Sequence, residues 1–84
     1  MSAFAKENFE KSGHWLYYNY NGQKKFVARF KYRDAFTMAK FKNQLMKNHT
    51  PAEYFSKLDQ GETPLGILRD ADMAWYFNIL EKNS

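Results

Sequence analysis

The sequence predicts an α+β fold: a small antiparallel β-hairpin or sheet packed against three to four helices, in a single domain over residues 1–84. Three observations predict it. Asn21-Gly22 stands between two runs rich in aromatic and β-branched residues, Trp15–Tyr20 and Phe26–Tyr32, the pattern of a two-residue hairpin. Two Thr-Pro pairs, Thr50-Pro51 and Thr63-Pro64, each mark a helix start. Apolar residues across 36–46, 54–58 and 73–80 recur at helical spacing.

Residues 2–12 read as a short helix or a frayed tail. Ser2 is a candidate cap, Phe4 and Phe9 are the apolar points, and Gly13 suits the position past a helix end. The hairpin follows. An ideal two-residue turn sets Tyr20 opposite Gln23, Tyr18 opposite Lys25, Leu16 opposite Val27 and His14 opposite Arg29. Between them fall Asn19 with Lys24, Tyr17 with Phe26, and Trp15 with Ala28. Side chains alternate faces. The expected core face carries Trp15, Tyr17, Phe26, Ala28, Phe30 and Tyr32. The other carries Leu16, Tyr18, Tyr20, Lys25, Val27, Arg29 and Lys31. A third strand is not legible.

A helix is predicted over about 34–47, capped by Asp34 or Thr37, with Phe36, Met38, Phe41, Leu45 and Met46 along one side. Thr50 caps the next, Pro51 takes its first position, Glu53 can close a capping box, and Gly61 ends it. His49 can staple against Tyr54. Thr63-Pro64 opens a short turn through Leu65, Ile67 and Leu68. A last helix over about 71–82, capped by Asp70 or Asp72, carries Met73, Trp75, Tyr76, Phe77, Ile79 and Leu80 on more than one side.

Composition excludes several chemistries. There is no Cys, so disulfides, thiolate metal sites and a Cys nucleophile are ruled out. His14 and His49 have no local ligand spacing. Asp70 and Asp72 lack the rest of a calcium loop. Ser2, Ser12, Ser56 and Ser84 sit in no nucleophile elbow, and the glycines form no phosphate-cradling loop. The chain is therefore expected to be no enzyme and to need no cofactor and no metal. No apolar run is long enough to span a membrane and no secretory leader is evident, so a cytoplasmic protein is expected.

Charge is uneven. Residues 1–49 hold ten Lys and Arg against Glu7, Glu10 and Asp34, a balance of +7, within a chain of net charge +4. Eight of the bases lie between Lys24 and Lys47. Such asymmetry suits an anionic partner, although a solvated face offset by the acidic half is the simpler explanation from composition alone. The hairpin's second face is the candidate site. Tyr18 and Tyr20 would offer flat rings, and Lys24, Lys25, Arg29, Lys31 and Arg33 would contact phosphates, with Lys40 and Lys42 widening the footprint. The expected function is a small binding module for nucleic acid. The alternative is a protein-interaction or accessory subunit, including a homodimer, because Leu16 and Val27 at the centre of that face invite a cover from the final helix or a second copy.

Overall fold

The computed structural model describes residues 3–31 and 35–68. Three strands, β1 (Phe9–Ser12), β2 (Trp15–Tyr20) and β3 (Gln23–Arg29), form one antiparallel sheet in the order β1-β2-β3. Asn21 and Gly22 take φ of 52° and 78°, the positive pair that a type I′ turn requires. A second tight reversal, with Gly13 at φ 62°, joins β1 to β2. The segment read as a helix or tail over 2–12 is thus a 3-10 turn, Lys6–Asn8, leading into a strand. Phe9 reaches the core as a strand residue opposite Tyr18, which is why the five-residue spacing of Phe4 and Phe9 fits no helical face.

From Tyr20↔Gln23 to Tyr17↔Phe26 the β2–β3 register is the one the turn dictates. It then slips. Leu16 faces Ala28 and Trp15 faces Arg29, so Val27 is an extra residue with no cross-strand partner, a β-bulge. The expected pairs Leu16–Val27, Trp15–Ala28 and His14–Arg29 are corrected accordingly. The bulge lets Val27 and Ala28, adjacent in sequence, both be fully buried. Beyond it Phe30 turns inward and Arg29 outward. His14 continues the ladder: Phe30 N–H donates to its carbonyl at 2.8 Å, and its Nδ1 donates to the Phe30 carbonyl at 3.0 Å. The bulged strand leaves the Val27 carbonyl to be satisfied elsewhere, and the buried Tyr54 hydroxyl donates to it at 2.6 Å.

Of the expected core face, Ala28 and Phe30 are buried as predicted, but before the bulge the faces are exchanged. Leu16, Tyr18, Val27, Ala28 and Phe30 are buried, while Trp15 is 39% exposed. The cause is what lies over the sheet. Phe4 and three helices, α1 (Ala35–Asn48), α2 (Pro51–Asp59) and α3 (Pro64–Ile67), supply the rest of the core. Met38, Phe41 and Leu45 form the buried stripe of α1, and Phe41 meets Phe30 edge-to-face at 5.1 Å. Phe36, expected in that stripe, is 70% exposed. In α2, Pro51, Tyr54 and Phe55 are buried, and Phe55 packs on Tyr18 and Tyr20.

The helix punctuation follows the expected chemistry. Thr50 Oγ1 accepts from Glu53 N at 3.3 Å and Thr63 Oγ1 from Gly66 N at 3.1 Å. The Glu53 carboxylate binds His49 and Lys57, both at 3.2 Å, so His49 is a polar partner of Glu53. At its far end α2 closes in a Schellman motif. Gly61, at φ 97°, donates to the Leu58 carbonyl, and Glu62 donates to that of Lys57. The Asp34 cap, Tyr32, Arg33, and the last helix with its Asp70 or Asp72 cap lie outside the described residues.

Candidate nucleic-acid interface

Alternation on β2 places Leu16, Tyr18 and Tyr20 under the helices and turns Trp15, Tyr17 and Asn19 the other way. Their cross-strand partners complete this second face: Glu10 and Ser12 from β1, and Lys24, Phe26 and Arg29 from β3. Trp15 and Tyr17 lie nearly parallel, 13° apart with centroids at 6.4 Å, and Phe26 meets Trp15 edge-on at 5.5 Å. Cations sit over the rings. The Lys24 ammonium is 4.6 Å from the Tyr17 centroid and the Arg29 guanidinium 5.2 Å from that of Trp15. Both are cation–π contacts. Among the described residues, the ring contacts of Trp15, Tyr17 and Phe26 are confined to this face.

Of the expected site residues, Tyr18 is withdrawn from the surface. It is 3% exposed, ringed by Phe4, Phe9 and Phe55, and its hydroxyl accepts from Ala5 N at 2.8 Å. A ring held on all sides has no free π-face, so the expected stacking role of Tyr18 is corrected. Tyr20 is half-buried against Phe55 at 5.4 Å. Lys25 lies beside it on the covered side, its ammonium 5.4 Å from the Phe55 centroid. Lys24 and Arg29 are exposed on the open face, and Lys31 is exposed just beyond β3. Arg33 lies outside the described residues.

Glu10 is the one carboxylate on the open face among the described residues. It pairs with Lys24 at 3.0 Å across Tyr17. The hydrogen bond and charge of Lys24 hold its carboxyl below the usual value of 4.5. Glu10 therefore occupies the Lys24 ammonium on this face.

Trp15, Tyr17 and Phe26 are the residues that reading the sequence assigned to the core. A signal was present on the same face: Asn19 and Lys24 are an opposed polar pair, which a buried face would not hold without partners. Among the described residues no three His, Cys, Asp or Glu side chains gather to hold a metal ion, and no helix is long and apolar enough to cross a membrane. Protein-family models, curated proteins and solved structures contain no match to this chain.

Proposed function

We propose that this protein is a small non-enzymatic module that binds single-stranded nucleic acid on the open face of its sheet. The observation that carries this reading is the row of Trp15, Tyr17 and Phe26 on one face with Lys24 and Arg29 beside the rings. Bases offer a π-face whatever their identity, and each base stacked on an aromatic contributes roughly 1–3 kcal/mol. Lys24 and Arg29 neutralise phosphates along that row, and Lys31, exposed just beyond β3, extends the positive ground around it. A single strand suits a sheet face of this kind, because its bases are free to leave their own stack.

The test is fluorescence anisotropy with labelled oligothymidine, oligouridine and a duplex across a salt series. Binding of the single strands should weaken with salt, with a log–log slope of about −0.7 for each phosphate contacted. Trp15→Ala should weaken it about tenfold or more at constant salt. Absence of binding at low salt, or binding indifferent to Trp15→Ala, would refute the reading.

A second reading, a protein-interaction or accessory subunit that includes a homodimer, would place Phe36, 70% exposed on α1, at the contact. Light scattering over a concentration series separates it: self-association that Phe36→Ser abolishes would favour this reading, and a monomer throughout would count against the homodimer.

A further inference from the structure

A separate surface lies where the edge of β3, unpaired among the described residues, meets the end of α2. A cleft of about 580 Å³ opens there, walled by residues 23–26 of β3 on one side and by Phe55, Leu58, Asp59 and Glu62 on the other. The volume falls in the roughly 300–1,000 Å³ range of ligand clefts.

Among the described residues, the β3 wall is main chain with unused bonding capacity. Among them β3 is an edge strand. Tyr20 and Gln23 flank the two-residue turn, and such a flanking pair is hydrogen-bonded. Opposed pairs then alternate, bonded and non-bonded, along an antiparallel ladder. Tyr18–Lys25 is therefore bonded, while Lys24 and Phe26 direct their N–H and C=O groups away from β2, toward the cleft. The opposite wall is apolar at Phe55 and Leu58. On its rim Asp59 and Glu62 make no ion pair among the described residues. Of the cleft's two bases, Lys24 is neutralised by Glu10, while Lys25 keeps its charge over the Phe55 ring, one cation against the two carboxylates. The side-chain charge left over at this cleft is thus negative.

We propose that the cleft binds an extended peptide that pairs with the β3 edge as a fourth strand, its apolar side chains on Phe55 and Leu58 and its basic side chains at Asp59 and Glu62. Main-chain bonds to Lys24 and Phe26 hold the peptide in register. Alternate side chains are read by the opposite wall.

The probe is a capped, fluorescein-labelled peptide alternating valine and lysine, titrated against the full chain. Binding should saturate, and the Lys24 and Phe26 amides should gain protection from hydrogen exchange. The signature is a period of two. Methylating the backbone nitrogens of one alternate set of peptide residues should weaken binding about thirtyfold, the loss of two hydrogen bonds. Methylating the other set should leave it within about threefold. Asp59→Asn with Glu62→Gln, both exposed positions, should weaken binding while leaving the fold intact. Four results would overturn the proposal: equal effects of the two methylated sets, equal or tighter binding of a valine–glutamate peptide, protection appearing on β1 instead, or no saturation up to about 1 mM peptide.

Discussion

Tyr54→Phe removes one oxygen atom from the centre of the molecule. The ring of Tyr54 is fully buried between the sheet and Phe4 and Phe55, and the variant keeps that packing. What is lost is the 2.6 Å bond to the Val27 carbonyl. That carbonyl belongs to the bulged residue, which has no partner on β2, so in the variant a buried acceptor is left unpaired. The cost is about 1–3 kcal/mol. With a urea m-value of about 1 kcal/mol per molar for a small chain, the unfolding midpoint should fall by about 1–3 M, with m unchanged. Tyr17→Phe is the control, since its ring is only half-buried on the open face; it should change stability by less than about 0.5 kcal/mol. If Tyr54→Phe unfolds within about 0.5 kcal/mol of the parent, the bulge carbonyl has another partner and the argument that Tyr54 holds the bulge fails. Alkali gives a second view of the same group. Burial pushes the Tyr54 hydroxyl above its ordinary value of 10.0, so the unfolded chain releases this proton first. The contribution is complete below pH 10 and declines above it by about 1.4 kcal/mol per pH unit.

Gly22→Ala should cost about 1–2 kcal/mol in urea melts, because φ is 78° and nothing lies within 4 Å of the added carbon, so the whole cost is backbone conformation. Thr50→Ala should cost about 1 kcal/mol through loss of the α2 cap, and Thr50→Ser should restore most of it. For Glu53, burial works to raise the carboxyl, but hydrogen bonds from Lys57 and His49 outweigh it and hold the group below 4.5. A depressed folded value stabilises above the unfolded one, so the stability difference between the parent and Glu53→Gln should be constant near neutrality and shrink as the pH falls below about 4.5. Glu10→Gln frees Lys24 and should tighten oligonucleotide binding about two- to fivefold at low salt, read by anisotropy.

The turn and the helix starts were legible because their causes are local. Positive φ at Asn21 and Gly22, and the caps at Thr50 and Thr63, depend on a few adjacent residues. The face assignment was not legible, because it depends on what covers the sheet. Counting rings favoured the Trp15, Tyr17 and Phe26 side, yet Tyr18 and Tyr20 are the rings that Phe4, Phe9 and Phe55 enclose. The bulge at Val27 carries no local mark, since nothing in Phe26-Val27-Ala28 requires an extra residue. The partner of its carbonyl, the Tyr54 hydroxyl, is distant in sequence. The strand at Phe9–Ser12 was hidden for a related reason: four residues with one apolar side chain gain strand character only by pairing with β2. The site inherits both effects. Lys24 and Arg29 were legible as cations of the hairpin, but their neighbours are Tyr17 and Trp15 rather than Tyr18 and Tyr20.

The most direct test is a titration of the isotope-labelled protein with short oligothymidine, followed by heteronuclear NMR at low salt. The Trp15 indole and the amides of Tyr17, Lys24, Phe26 and Arg29 should shift together and saturate together, with Tyr18 and Tyr54 hardly moving. Shifts centred on other residues, or a spectrum that does not change, would contradict the assignment of the uncovered side of the sheet as the binding surface.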